Sequence, residues 1–364
     1  MHPSRRAFLR GAVATGVVLS GACGRGSLPR ALAKRSRESR ERGAAALWAL
    51  QAPDGAFRSS VYGLMRSGHS LTGFGLTCLG AGGRPSRPPP GWAAALDFLA
   101  ASLDGEGALG RPGSVTDYPV YATALAIRAW TTAGHAVPAA AARWLAGRQL
   151  VEEGWEGTSA FGGFDMGHRV RPAPPHAGHV DLSMTRRALE ALAALGHGPD
   201  SPAMTAADIF LNACAVPDGG FVYSPVELVL NKAGCVDGCR SYGTATADGV
   251  LALAARAGAK AADHALHGPA LARLRALHRV DRNPGLEGGP MEAFGPAMRG
   301  CYRAAAAEVF ARFGGPEGWR APLLEAILAE QRADGTWASE SPLQKEDEPI
   351  VATGFALAAL AYAS

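Results

Sequence analysis

The sequence predicts an all-α fold: an α/α toroid, or α6/α6 barrel, of six helical hairpins. Three observations carry the prediction. A motif recurs in which an apolar segment of helical period ends in Gln or a polar equivalent, followed by a Gly-containing turn and then an aromatic residue. Its clearest copies are Gln51-Ala-Pro-Asp54-Gly55-Ala-Phe57 and Gln331-Arg-Ala-Asp334-Gly335-Thr-Trp337. Weaker copies lie at Asp104-Gly105, at Gln149 through Gly154-Trp155, and at Asp218-Gly219-Gly220-Phe221. The second observation is that helical segments stop at Gly134, Gly196, Gly258 and Gly314, a spacing of roughly 50–60 residues that suits a two-helix repeat. The third is that no strand-period alternation of any length competes.

Each element follows from these signals. Asp-Gly makes a tight turn because Gly accepts positive φ and Asp bonds nearby backbone amides; the aromatic residue after it can wedge between hairpins. The first helices of the pairs are expected at 43–50, 92–102, 139–149, 203–213, 269–278 and 321–331. The second helices, most of them with Thr in the first turn, are expected at 71–80, 120–133, 184–195, 244–257, 300–313 and 350–363. An open superhelix of the same hairpins is the alternative to ring closure. With 48% hydrophobic, 19% charged and only 7% aromatic residues, the chain can bury one large core built mainly of Ala, Leu and Val.

Three segments are expected: an export signal at 1–23, a basic linker at 24–42 and the toroid at 43–364. The net charge of +4 divides unevenly, with +3 in residues 1–24, +5 in 25–42 and −4 in the remainder. The body is thus mildly acidic and carries no nucleic-acid footprint. Ser4-Arg5-Arg6-Ala7-Phe8-Leu9 followed by the apolar run 11–22 reads as a twin-arginine export signal, too short for a spanning helix. Leu19-Ser20-Gly21-Ala22-Cys23 reads as a lipoprotein cleavage box or an ordinary peptidase site. The expected location is outside the cytoplasm, periplasmic or membrane-anchored, with a membrane surface as partner through lipidated Cys23 and the linker. Cys78 and Cys214 fall in helical apolar patterns and read as buried thiols.

Topology locates a site. All six Gly-turn connectors run from a first helix to a second, so they gather at one end of the ring. The longest, about 155–183 and 221–243, exceed what a connection needs. The N-termini of the second, inner helices point there too.

The Gln-x-x-Asp-Gly-x-Trp/Phe repeat resembles that of squalene-hopene cyclases and prenyltransferase β subunits. The chain is similar to single-toroid bacterial prenyltransferase/squalene oxidase repeat proteins through Gly162-Gly163-Phe164, Asp181-Leu182-Ser183-Met184-Thr185, Gly220-Phe221-Val222-Tyr223-Ser224-Pro225, Ser241-Tyr242-Gly243-Thr244 and Asn283-Pro284-Gly285. The resemblance covers roughly residues 43–364 and implies a toroid that binds an apolar or isoprenoid-like ligand. A type II cyclase of this family carries Asp-x-Asp-Asp, which is absent here; Glu346-Asp347-Glu348 is the dense acidic run and reads as a solvated face. The prenyltransferase resemblance implies zinc at Asp237 and Cys239, with Cys235 nearby, but Ala352 stands where the family's His is expected. The alternative is a pair of loop cysteines, free or disulfide-linked.

If the protein is an enzyme, a squalene/terpene-cyclase-like isomerase or lyase or a prenyltransferase-like transferase, Asp181 or Asp117 is the expected acid; both also read as helix caps. Expected ligand-binding residues are Tyr118, His179, Ser183, Arg240, Ser241 and Tyr242. His168, Arg169, Arg171, His176 and His179, with Arg240, could meet an anionic group or form a solvated loop. Phe161, Phe164, Phe221 and Tyr223 read as wedges. The second function class is a non-catalytic exported binding or scaffold protein. A deep cavity with a desolvated carboxylate would favour catalysis, and a filled ring centre would favour binding.

Overall fold

The computed structural model describes residues 28–83, 89–113 and 115–364; the expected export signal and Cys23 lie outside these residues. In chain order the helices are α1 (Arg30–Ala49), α2 (His69–Leu79), α3 (Pro90–Ala101), α4 (Pro119–Ala133), α5 (Ala139–Ala146), α6 (Leu182–Ala194), α7 (Pro202–Cys214), α8 (Gly243–Ala257), α9 (His267–Leu277), the single turn α10 (Phe294–Ala297), α11 (Arg299–Phe313), α12 (Arg320–Ala329) and α13 (Pro349–Ala363). Among the described residues β-structure is limited to isolated bridges. No helix among them is long and apolar enough to cross a membrane.

The inner ring is α2, α4, α6, α8, α11 and α13. Each packs on the next, and α13 packs back on α2, so the ring is closed. The outer helices α1, α3, α5, α7, α9 and α12 pack against it. The open superhelix is thereby excluded.

The recurring residues have definite tasks. The side-chain amide of Gln51 donates to the carbonyls of Gly55 and Gly91, at 2.8 and 2.7 Å. That of Gln149 donates to Gly162 and Ala203, at 2.9 and 2.8 Å. Each Gln thus ties its own turn to the start of the next outer helix. Gln331 donates to Gly335 and to Ser39 of α1, at 2.9 and 3.0 Å, which applies the same device to ring closure. The inner-helix threonines accept the N–H of the residue after each turn: Thr72 from Phe57, Thr185 from Phe164, Thr246 from Phe221 and Thr353 from Trp337. At Gly162, φ is +82° and a Cβ would collide with the carbonyl of Ala206 on α7. Only glycine lets the turn lie against the neighbouring helix there.

One expected boundary differs. The stretch 30–42, expected as linker, is the first part of α1. Its buried positions are Leu32, Ser36, Ser39, Gly43 and Leu47, spaced at three or four residues. Most of that stripe is small or polar, so an apolar period does not reveal it. Small residues serve because the neighbours come close: a Cβ at Gly43 would collide with the Trp337 ring, and Ser36 Oγ meets Ser364 Oγ at 2.6 Å. Most charges of this segment, Lys34, Arg35 and Arg37 among them, are exposed, while Arg40 is half-buried and donates to Ala81 O at 2.8 Å.

Candidate active site

The ring centre holds a cavity of about 250 Å³ with walls from all six inner helices. That is near the lower end of small-molecule sites, about 300–1,000 Å³. A second pocket of about 30 Å³ beside α11 and α13 has room for about a water molecule. Six aromatic side chains line the central cavity: Phe74, Tyr121, Tyr223, Tyr242, Phe355 and Tyr362. Alanines on α11 and α13 leave the space between them.

The wall is stratified along the inner helices. Near the connector end lie Ser183, Thr244 and Cys301 from first turns, with Tyr223, Lys232 and Tyr242 from the connector 221–242. Asp248 lies one turn below Thr244 along α8, about 6 Å at a rise of ~1.5 Å per residue. Glu308 is seven residues beyond Cys301 on α11, about 10 Å deeper.

At mid-depth stands a buried ionic knot. Arg186 is 2% exposed and donates to Glu190 at 2.7 Å, Asp248 at 2.7 Å and Glu308 at 2.9 Å. Glu190 also meets Arg187 at 3.0 Å and Arg128 at 3.9 Å. Burial alone would raise Glu190, but these guanidinium groups outweigh it and hold the carboxyl well below its ordinary value. Asp248 moves the other way. Its burial outweighs Arg186, which Asp248 shares with two other carboxylates, so its pKa is raised. One guanidinium cannot compensate three carboxylates equally, and Asp248 is the one that holds a proton more firmly than a carboxyl in water does. Two carboxyls pushed apart in this way can serve as an acid and a permanent anion. The Ser183 hydroxyl bonds Asp248 and also meets the Tyr121 hydroxyl at 2.5 Å.

The acids expected from sequence lie elsewhere. Asp117 is fully buried and accepts from the hydroxyls of Ser67 and Ser70 and from the Ser70 amide, so it caps α2. Asp181 caps α6 by accepting from Met184 N at 2.7 Å. Its other oxygen accepts from the Tyr223 hydroxyl at 2.9 Å and lies 2.9 Å from His179 Nε2. Neither carboxylate is at the cavity wall; Asp181 stands one residue behind it, through Tyr223. Glu346, expected to be solvated, is 2% exposed and accepts from Gly300 N and Cys301 N at the start of α11. An inner-helix N-terminus requires acceptors, and the connectors supply them.

Among the expected ligand-binding residues, Ser183 and Tyr242 line the cavity. Tyr223 lines it too, instead of acting as a wedge, while Phe164 and Phe221 are buried between hairpins. Tyr118 precedes α4 in a left-handed conformation, φ 43°, with its ring 6.2 Å from that of Tyr121. Ser241 is buried and donates to Asp218 at 2.9 Å. Arg240 is exposed and turned onto the carbonyl of Ala233 at 2.7 Å. His168, Arg169 and His176 are exposed; Arg169 and Arg171 donate to backbone carbonyls on neighbouring loops. They do not gather around a common point.

The residues at the expected zinc corner do not form a metal site in this arrangement. Cys235 and Cys239 are joined by a disulfide and Asp237 is exposed on the turn between them. Disulfide sulfurs are not thiolate ligands. Among the described residues no group of three or more His, Cys, Asp or Glu is placed to hold a metal. Cys214 is fully buried, as expected. Cys78 is buried and also lines the cavity, where burial pushes its thiol up to about 12.

His179 bridges two carboxylates, with Nε2 at 2.9 Å from Asp181 and Nδ1 at 2.5 Å from Glu227. The bond to Asp181 and the two negative charges outweigh burial and raise its pKa above 6.5. Its contribution to stability is therefore complete below about pH 6.5 and lost as pH rises through the raised value. Melting curves from about pH 5 to 8 should show a fall in Tm toward the alkaline end that is flatter in His179→Gln.

No family model matches the chain, and no curated protein matches it either. Solved structures match its fold. A variant of the type II terpene cyclase MstE from Scytonema, in complex with its product merosterolic acid A, is 15% identical with a TM-score of 0.61, covering 92% of this chain and 99% of that one. The apo form of MstE is 14% identical with a TM-score of 0.58, covering 90% and 98%. A polysaccharide lyase, BACCELL_00875, is 10% identical with a TM-score of 0.54, covering 90% and 96%. These likenesses establish the toroid fold, which carries more than one chemistry.

Proposed function

We propose that this protein is an acid-type isoprenoid cyclase, with its reaction in the ring cavity and Asp248 as the proton donor. One observation carries the reading: an aromatic-walled cavity at the ring centre meets a buried carboxyl, Asp248, whose burial raises its pKa. MstE, with the same fold, is described with the substrate geranylgeranyl dihydroxybenzoate and a product bound, which supports an isoprenoid as the ligand class.

The chemistry follows from the wall. The Asp248 O–H bond breaks as its proton joins one carbon of an alkene, and the π electrons become the new C–H bond. The other alkene carbon becomes a cation, which a second alkene attacks to form the ring C–C bond. Loss of a proton from the last cation to water completes the isomerisation, and solvent returns a proton to Asp248. Arg186 stabilises the aspartate left after transfer. The six aromatic faces stabilise the migrating positive charge by about 0.5–2 kcal/mol each where a ring is well placed. The packed inner ring shields the early cations from solvent, and water takes the proton only from the last one.

The same proposal puts the protein outside the cytoplasm. The twin-arginine pattern and the Cys235–Cys239 disulfide support it, since disulfides persist in oxidising compartments.

The test is incubation of the purified toroid with aromatic acids bearing geranyl, farnesyl and geranylgeranyl chains. The expected product is a cyclised isomer of unchanged mass. Tight binding of all three chains without conversion would replace the enzyme reading with a binding toroid.

A further inference from the structure

We propose that the ligand of the ring cavity carries a single negative charge at its head, a carboxylate, and that Lys232 receives it at the connector end. This rests on the reading of the cavity as an isoprenoid site and names the chemistry of the end that the hydrocarbon walls do not explain.

Lys232 is a cation of the cavity wall without an ion pair, and the charge of Asp181 reaches it only through space. Its ammonium lies 4.7 Å from the centroid of the Tyr223 ring and 5.6 Å from that of Phe294. Among the described residues it makes no ion pair and no hydrogen bond. The other wall cations are engaged: Arg186 holds three carboxylates and Arg187 holds Glu190. The carboxylate of Asp181 is covered by the Tyr223 hydroxyl and His179. A partly buried ammonium in contact with ring faces, and with Asp181 acting only at a distance, is under-compensated, and a ligand anion supplies what is missing. Burial lowers the pKa of Lys232, and an arriving carboxylate would reverse that shift.

The site counts out a multiply charged head. Arg240, the nearest expected anion ligand in sequence, is turned outward onto Ala233. Glu308 lies deeper in the same cavity and repels further negative charge. One ammonium therefore suits a monoanion and not a diphosphate.

The lysine is also held in place. The Asn231 side chain donates to Ser224 O at 2.9 Å, and the Cys235–Cys239 disulfide and the Arg240–Ala233 bonds close the loop behind it. Less ordering is then required on binding. With the head at Lys232, the chain runs down past Thr244 toward Asp248, which places an alkene of the tail beside the acid.

The test uses a benzoic acid bearing a saturated prenyl chain, which has no alkene to protonate, and its methyl ester. Calorimetry measures both on the full chain and on Lys232→Met and Lys232→Arg. The acid should bind the wild type at least tenfold more tightly than the ester. That preference should vanish in Lys232→Met, with ester affinity unchanged, and largely survive in Lys232→Arg. Equal binding of acid and ester by the wild type overturns the head-group proposal while leaving the isoprenoid reading intact, as does an acid preference that persists in Lys232→Met. Failure of both ligands to bind overturns the isoprenoid reading and this proposal together.

Discussion

Asp248→Asn should abolish turnover of a prenylated substrate, with a loss of at least 10²–10⁴-fold, while the protein stays folded and still binds the substrate. Asparagine keeps the shape and can accept from Arg186, but it has no acidic proton. Stability should be little changed, because the native environment already disfavours the charge on this carboxyl. Removing an anion from a site where three surround one guanidinium relieves crowding. The wild-type pH profile should carry the same signature: the proton-bearing form is active, so turnover falls as pH rises through the raised value of Asp248. The check is product formation and binding, measured together on wild type and variant. A variant with full turnover would remove Asp248 from the chemistry.

Arg186→Met should destabilise the toroid by about 3–5 kcal/mol, the cost of leaving buried carboxylates without their partner. Glu190, Asp248 and Glu308 all lose a direct bond, and Asp248 and Glu190 keep almost no solvent to compensate. The sign with pH follows. Glu190 is depressed in the native protein, so its contribution is present above its ordinary value of 4.5 and lost as pH falls through the native one. Without Arg186 the carboxylates become easier to protonate, and protonation removes part of their cost. The deficit against wild type should therefore be larger near pH 8 than near pH 5. Denaturant melts at both values check it, and an equal deficit would mean that lost packing and not charge sets the effect.

The ring was legible because its signals are local. Gln51 and Gln331 each bond the turn glycine four residues on, and Gln149 makes the equivalent bond to Gly162 across a longer turn; each also bonds a carbonyl of the neighbouring outer helix. The first part of α1 was not legible, since its buried stripe is Ser36, Ser39 and Gly43, residues chosen for closeness and not for hydrophobicity.

The site was legible at its rim and not at its centre. Ser183 and Tyr242 were found because the starts of the inner helices, and the connector residues just before them, face the mouth. Asp117 and Asp181 drew attention as acids in the right loops, but their geometry satisfies helix ends. Asp248 is a lone acid within Thr-Ala-Thr-Ala-Asp-Gly-Val-Leu-Ala-Leu. A charge in an otherwise apolar inner helix, four residues after Thr244, was the available signal. What no spacing could supply was its partner: Arg186 and Glu308 lie 62 and 60 residues away in sequence and meet it only when the ring closes. Lys232 was hidden in the same way, because its lack of an ion pair is a fact about space.

The central claim is that Asp248 delivers a solvent-exchangeable proton to an isoprenoid alkene in the ring cavity. Its most direct measurement is the isotope content of the product formed in heavy water from a prenylated aromatic acid. The account predicts a cyclised product with one carbon-bound deuterium, absent with Asp248→Asn. A cyclised product that carries no deuterium, or one formed equally by the variant, would contradict it.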